Sequence, residues 1–126
     1  MDSTSLAHQY LGRQVLVRID RPLGSRHPEH GFEYPVNYGY VPGVLAPDGD
    51  ELDAYVLGVR TPLAEFCGHC IAIIHRRDDD DDKLVVVPEA IWLEEGEIRA
   101  QVRFQEQFFD SMVEMFRGDV SGQRFP

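Results

Sequence analysis

Short runs of hydrophobic residues separated by turn-forming residues dominate the first 90 positions of the chain. Runs that are β-branched or nearly all apolar, four to eight residues long, are typical of β-strands. The runs that meet this description are residues 14–20, 52–59, 70–74 and 84–87. The last two contain almost no polar residue, which predicts strands buried on both faces.

The segments between these runs are rich in proline and glycine. Residues 21–31 hold two prolines, two glycines and two histidines, which predicts a surface loop. Tyrosines recur among Pro, Asn and Gly over residues 32–41, which predicts a short bent strand that ends at Pro42-Gly43. A turn is expected over residues 46–50.

The apolar period changes near the C-terminus. Residues three or four apart are Ile98, Val102, Gln105, Phe109, Met112 and Phe116. This spacing predicts an amphipathic helix of about five turns lying across the sheet, with Gly118 as its C-terminal stop. Strands followed by a helix predict an α+β domain, a small closed or partly closed β-barrel packed by one main C-terminal helix.

Length and charge narrow the range of possible protein classes and partners. The 126 residues fit one domain, residues 1–126. No apolar run approaches the roughly 18 residues of a membrane span, and the first ten residues do not read as a signal peptide, so we expect a cytoplasmic protein. The net charge of −10 would be repelled by nucleic acid or an anionic membrane, so neither is an expected partner.

Three carboxylates crowd into the segment Asp48-Gly-Asp50-Glu-Leu-Asp53. They would repel one another unless a divalent cation lay between them, and Mg²⁺ suits a few carboxylates combined with phosphate oxygens. A calcium EF-hand is excluded, because its sixth position requires glycine and would here be Asp53. An ordinary acidic β-turn remains an alternative.

A second acidic segment, residues 78–82, consists of five aspartates. It precedes Lys83, the only lysine, and an apolar strand. Such a run is commonly a solvated loop, but Arg76, Arg77 and Lys83 on its flanks also suit a mixed metal and phosphate surface. Lys83 itself is either a surface counter-charge or a cation directed at phosphate oxygens.

Four segments in this order closely resemble the family I soluble inorganic pyrophosphatases. They are Ile19-Asp-Arg-Pro, Tyr34-Pro-Val-Asn-Tyr-Gly-Tyr40, Asp48-Gly-Asp-Glu-Leu-Asp53 and Asp78 through Lys83-Leu-Val-Val-Val-Pro88. The resemblance covers residues 15–88 and, weakly, residues 104–110. It implies an OB-like β-barrel and hydrolysis of inorganic diphosphate to two phosphates by water that magnesium ions activate.

The resemblance also implies roles for individual residues. The metal ligands would be Asp48, Asp50, Asp53, Asp78 and Asp81, the last two uncertain by one residue because of the aspartate run. Asp50 would also be the base for the attacking water, and Tyr38 would act beside it. The substrate-binding residues would be Arg26, Tyr34 and Lys83. Tyr40 and Tyr55 are more typical of core residues, and family members often form homo-oligomers.

The chain departs from the family at two places. It lacks the N-terminal acid and lysine of longer members, where Leu16 and Arg18 are nearest, and it has Met112 and Val113 where a tyrosine and a lysine are expected. The two lysines that are missing could be replaced by arginines, and the candidates are Arg21, Arg76, Arg77 and Arg103. Two alternatives therefore stay open: a metal- and phosphate-binding domain with weak or no turnover, and a hydrolase of another diphosphate such as a nucleotide.

Cys67-Gly-His-Cys70 has the spacing of a redox motif, but it leads into a strand rather than a helix, where the low thiol pKa of such motifs arises. Two reduced cysteines are the better interpretation, and a zinc site lacks a second ligand pair. His27 and His30 are expected on the surface and not as ligands.

Overall fold

The structure is a computed structural model that describes residues 3–77 and 81–117. It contains two helices and six strands within those ranges. The helices are α1 (Ser3–His8) and α2 (Glu95–Glu106). The strands are β1 (Gln14–Arg21), β2 (Asn37–Leu45), β3 (Glu51–Val56), β4 (Glu65–Arg76), β5 (Lys83–Val87) and β6 (Ser111–Met115).

Five strands close into a barrel. The order is β1-β2-β3-β5-β4-β6, and β1 also pairs with β4, which closes the ring and leaves β6 as an added strand. β3 and β5 are parallel, and the other pairs are antiparallel. The predicted α+β class and OB-like barrel are confirmed.

The side chains of each strand alternate between two cores. Val17, Ala54 and Leu84 belong to the cluster that fills the barrel. Tyr55 and Val85 point to the outer face and belong to a second cluster, which the buried face of α2 covers. Because neighbouring residues of a strand point to opposite faces, each strand both fills the barrel and supplies side chains to the outer face.

Two predicted boundaries were wrong in the region after residue 31. β2 starts at Asn37 and continues past Pro42-Gly43 to Leu45. The pairing of β2 with β3 shifts register between Tyr40 and Leu45, so the proline and glycine fall in an irregular part of the strand rather than at its end. A proline is tolerated at such a site because no regular ladder hydrogen bond is lost.

The predicted five-turn helix was also wrong in its second half. α2 has 12 residues and ends at Glu106, with Ile98, Val102 and Gln105 buried as expected. Residues 111–115 form β6, which pairs with the outer half of β4 from Ala72 to Arg76. This pairing satisfies backbone groups along the edge of β4, which a continued helix would leave open. Gly118, the expected helix stop, lies outside the described residues.

α1 had no counterpart among the predicted elements. Its six residues precede β1 and contact β4. Within the described residues, neither helix combines the length and the apolar character that crossing a membrane would require.

Candidate active site

A cavity of about 980 Å³ opens on the outer face of the barrel beside the C-terminal end of α2. Its walls carry five carboxylates, three fixed cations and a group of aromatic rings. The carboxylates are Asp20, Glu29, Asp50, Asp53 and Asp81; the cations are Arg21, Arg76 and Lys83; and the rings include Phe32, Tyr34, Tyr38, Phe108 and Phe109. A cavity with this lining suits a polyanion that is bound together with cations.

Strand alternation places the two central charges. Asp53 lies between the core residues Leu52 and Ala54 on β3, and Lys83 precedes Leu84 on β5. Leu52, Ala54 and Leu84 point into the barrel, so Asp53 and Lys83 point outward. The parallel pairing of β3 with β5 brings the two together.

Lys83 is a buried cation in the wall of this cavity. Its side chain is 2% exposed, and its Nζ donates to Asp53 Oδ2 at 2.8 Å and to Asp81 Oδ2 at 3.1 Å. The ammonium also lies 5.7 Å from the centre of the Tyr38 ring. Of the two interpretations of Lys83, the structure excludes the surface counter-charge, because the group is buried in the cavity wall.

Arg76 and Glu106 form a buried pair behind the same wall. The Arg76 guanidinium donates from Nε to Glu106 Oε1 at 3.1 Å and from its terminal nitrogen to Oε2 at 2.8 Å. Glu106 also accepts from Tyr55 Oη at 2.6 Å and from Ser111 Oγ at 2.5 Å. Burial alone would raise the pKa of Glu106, but the hydrogen bonds from Arg76, Ser111 and Tyr55 outweigh it and lower the pKa.

Arg76 reaches the cavity from this pair. Its guanidinium carbon lies 3.6 Å above the centre of the Phe109 ring, and a terminal nitrogen donates to Asp81 Oδ2 at 3.3 Å. Glu106 and Phe109 thus hold a planar cation with fixed orientation beside Asp81. Such a guanidinium is suited to phosphate oxygens.

The N-terminal wall is made by the end of β1. Asp20 and Arg21 both line the cavity. The pKa of Asp20 is raised, first by burial and further by Asp53 and Glu51, while Arg21 opposes the rise. Burial is thus the main reason that the ionised form of Asp20 is disfavoured, and a bound cation would favour it.

Two tyrosines contribute neutral donors. Burial raises the pKa of Tyr38 well above its ordinary value, and the Asp53 charge raises it further. Burial also raises the pKa of Tyr34, whose hydroxyl donates to Gln105 Oε1 at 3.1 Å. Both phenols therefore remain protonated at neutral pH and donate hydrogen bonds without adding negative charge.

The structure brings together most of the residues implied by the resemblance. Asp50, Asp53, Asp81, Lys83, Tyr34 and Tyr38 all line the cavity. Asp48 is not among the lining residues: its Oδ1 accepts the backbone N–H of Asp50 at 3.0 Å and so shapes the turn that presents Asp50. Arg26 is also outside the lining, donating to the Gly31 carbonyl at 2.9 Å. Asp78 lies outside the described residues.

Two of the four candidate replacement cations reach the cavity. Arg21 and Arg76 line it, whereas Arg103 does not and Arg77 pairs with exposed Asp110 at 3.4 Å. Sequence reasoning missed Asp20 as a wall residue, although Asp20 belongs to the Ile19-Asp-Arg-Pro segment. It also missed Glu106, for which the sequence carries no signal beyond its place beside Gln105 on the helix.

The other motifs occupy ordinary positions. Cys67 and Cys70 lie within β4, one exposed and one buried, and both are free thiols. The motif lies inside a strand and not at the start of a helix, and burial raises the pKa of Cys70 to about 12, which favours two reduced cysteines over a redox motif. His27 and His30 line the rim of the cavity, and His27 Nδ1 accepts the backbone N–H groups of Glu29 and His30 at 3.1 Å each.

Comparison with known proteins agrees with this geometry. Residues 13–118 match the family model described as inorganic pyrophosphatase, and the chain belongs to that family. It is 33% identical over 93 residues to an inorganic pyrophosphatase of Aeropyrum pernix, an alignment covering 70% of this chain and 49% of the relative. It is 32% identical over 89 residues to one of Saccharolobus solfataricus, covering 68% and 49%.

Solved structures share the fold. The inorganic pyrophosphatase of Ehrlichia chaffeensis superposes with a TM-score of 0.67 at 18% identity, covering 84% of this chain and 88% of that one. The enzyme of Coxiella burnetii gives a TM-score of 0.56 at 24% identity, covering 81% and 83%. The chain nevertheless spans about half the length of the curated relatives it matches.

Proposed function

We propose that the chain hydrolyses inorganic diphosphate to two phosphates in a magnesium-dependent reaction at the cavity beside α2. The observation that carries the proposal is the convergence of Asp50, Asp53 and Asp81 with Lys83 and Arg76 in the walls of one cavity. These residues come from separate parts of the sequence. Family membership supports the same reaction.

The donor set fits a hard divalent cation. Five carboxylates face three fixed cations in the cavity, and part of the charge of Arg76 is already balanced by Glu106. Carboxylate oxygens combined with water and phosphate oxygens are the ligands that Mg²⁺ prefers. Asp50, Asp53 and Asp81 would hold the metal, with Asp48 and Asp78 as further proposed ligands.

Six side chains of the cavity have distinct tasks in this reaction. Lys83, Arg76 and Arg21 bind and orient phosphate oxygens. Tyr34 and Tyr38 donate hydrogen bonds to them once the Tyr34 hydroxyl leaves Gln105 and the Tyr38 hydroxyl leaves Asp53. Asp50, which is exposed at the cavity mouth, accepts a proton from the attacking water. When bound, magnesium neutralises the phosphates and acidifies that water. Arg26 stays a proposed substrate contact, one that would require its side chain to leave the Gly31 carbonyl.

Phosphate release from diphosphate, measured with and without magnesium, tests the proposal. We expect Asp50→Asn to lower kcat by roughly 10²–10⁴-fold while the thermal unfolding curve is unchanged, because Asp50 is exposed and its loss affects the site alone. Glu95→Gln on the exposed face of α2 is the matched control and should keep wild-type turnover.

Two other outcomes distinguish the alternatives. A folded protein that releases no phosphate at any magnesium concentration would eliminate the enzyme and leave a metal- and phosphate-binding domain. Faster turnover of a nucleoside diphosphate than of inorganic diphosphate at fixed magnesium would assign the other substrate class. A cytoplasmic location and a homo-oligomer are further proposals, and light scattering of the purified chain tests the second.

A further inference from the structure

A second polar cluster lies outside the cavity, where α1, β4 and β6 meet. His75 on β4 and His8 at the end of α1 both contact the carboxylate of Glu114 on β6, each Nε2 lying 2.8 Å from Oε1. The three ligand atoms lie within 4.8 Å of one another. Asp82 completes the cluster, with its Oδ2 at 2.9 Å from His75 Nδ1.

We propose that this cluster is a binding site for a divalent transition metal of the zinc type. His8 Nε2, His75 Nε2 and Glu114 Oε1 are its ligands, and Asp82 is the positioning residue behind His75. Two imidazoles and one carboxylate, with a fourth position left for water, form a familiar zinc ligand set.

The spacing of the ligand atoms needs little adjustment. Ligands about 2.0–2.1 Å from a tetrahedral zinc ion are roughly 3.3 Å from one another. The two histidine–glutamate distances of 2.8 Å are hydrogen-bond distances, so a metal that replaced the shared protons would widen each by about 0.5 Å. Side-chain rotation at the exposed His8 and Glu114 can supply that movement.

Asp82 prepares His75 for this role. Its side chain is 4% exposed and accepts a hydrogen bond from His75 Nδ1, which fixes the ring and leaves Nε2 directed at Glu114. A carboxylate that orients a ligating histidine through its other nitrogen is a recurrent feature of metal sites. A surface ion pair between one histidine and one glutamate would not need an orienting carboxylate.

The cluster is separate from the diphosphate cavity. None of His8, His75, Asp82 or Glu114 is among the residues that line that cavity. The side chains of His8 and Glu114 are 44% and 38% exposed, so a hydrated ion can enter from solvent. Imidazole ligands also favour zinc-type metals, whereas the carboxylates of the cavity favour magnesium.

A bound ion would fasten three elements that are distant in sequence. His8 and Glu114 are separated by 106 positions, and His75 and Glu114 by 39. The ion would hold α1 against the edge where β4 pairs with β6. We therefore expect it to protect the first helix from proteolysis and to raise the unfolding temperature.

Calorimetric titration of the full chain with Zn²⁺ in excess Mg²⁺ tests the site, with Co²⁺ absorption as a second readout. Mg²⁺ in large excess competes with Zn²⁺ for the cavity carboxylates. We expect one site in the wild type, an affinity loss of at least 100-fold in His8→Ala and His75→Ala, and a loss of about 10–100-fold in Asp82→Asn. His69→Ala on the same strand β4 is the matched control and should bind as the wild type does.

Wild-type zinc binding that His8→Ala leaves intact would overturn the proposal, as would the absence of binding in the wild type. Either result would identify the cluster as hydrogen-bonded ion pairs alone. His8 is exposed, so its variant is expected to fold even if His75→Ala does not. The readout is metal binding, so it is independent of whether the chain hydrolyses diphosphate.

Discussion

Replacing Glu106 by glutamine tests whether the buried pair behind the cavity wall stabilises the fold. The side chains of Arg76 and Glu106 are 7% and 6% exposed, so the variant leaves a buried guanidinium facing a neutral amide. Removing one partner of a buried ion pair costs about 3–5 kcal/mol. Glutamine keeps one acceptor oxygen, and Asp81 still contacts Arg76, so we expect a loss of about 2–4 kcal/mol.

The loss should be visible as a fall in Tm of about 10 °C for a chain of this size. Chemical unfolding in urea provides the free energy directly. The matched control is Glu95→Gln on the same helix. Glu95 Oε2 lies 2.9 Å from Arg99 Nε, but the Arg99 side chain is 50% exposed, so we expect the free energy of unfolding to change by less than about 0.5 kcal/mol. A Glu106→Gln variant within 1 kcal/mol of the control would refute the reasoning, because the pair would then offset only its own desolvation.

The same pair predicts a pH dependence with a defined sign. The pKa of Glu106 lies below the ordinary glutamate value of 4.5, because hydrogen bonds from Arg76, Ser111 and Tyr55 outweigh burial. Its contribution to the free energy of unfolding is therefore present above that value and is lost as the pH falls through the lower, folded-state pKa. As the pH falls below 4.5, the wild type should lose stability more steeply than Glu106→Gln.

Three further changes have expected outcomes. Asn37→Ala should lower the free energy of unfolding by about 3 kcal/mol in urea melts. The buried amide of Asn37 accepts hydrogen bonds from two backbone N–H groups and donates one to a backbone carbonyl, at 2.9–3.1 Å. A loss under about 1 kcal/mol would contradict this expectation. Gly39→Ala should yield little folded protein by circular dichroism, since its Cβ would lie 1.9 Å from the Arg18 carbonyl oxygen, whereas Gly96→Ala, with open space, should fold normally. Alkylation of the native protein, followed by mass spectrometry, should label Cys67 and spare Cys70, whose pKa burial raises to about 12; equal labelling would argue against a buried Cys70.

Four strands, β1, β3, β4 and β5, could be located from the sequence because each contains a compact apolar run. The end of α2 could not, because the apolar residues Phe108, Phe109, Met112 and Met115 continue the helical spacing of three or four. What decides between helix and strand is the open edge of β4, which β6 occupies. That edge exists only in the assembled sheet, so no local pattern reports it.

The candidate site likewise contains some residues that could be predicted from the sequence and others that could not. Asp50, Asp53, Asp81 and Lys83 stand out because they are crowded in two short segments, and the barrel brings these segments to one cavity. Glu106 and Asp20 do not stand out among 22 acidic residues. Their place in the site follows from the packing of α2 on the outer face and from the end of β1, and neither can be read from spacing along the chain.

The acidic segment before β5 shows how one stretch of sequence supplies two environments. Asp81 turns toward the cavity, where its Oδ2 accepts from Lys83 and Arg76, while its neighbour Asp82 turns away and holds His75. Adjacent residues of an extended segment point in opposite directions, so a run of aspartates entering a strand necessarily serves both sides. A change of register by one residue would exchange the two carboxylates. Since residues 78–82 are all aspartates, a shift by one residue still places a carboxylate on each side, so the two sites depend on the alternation and not on which aspartate supplies each carboxylate.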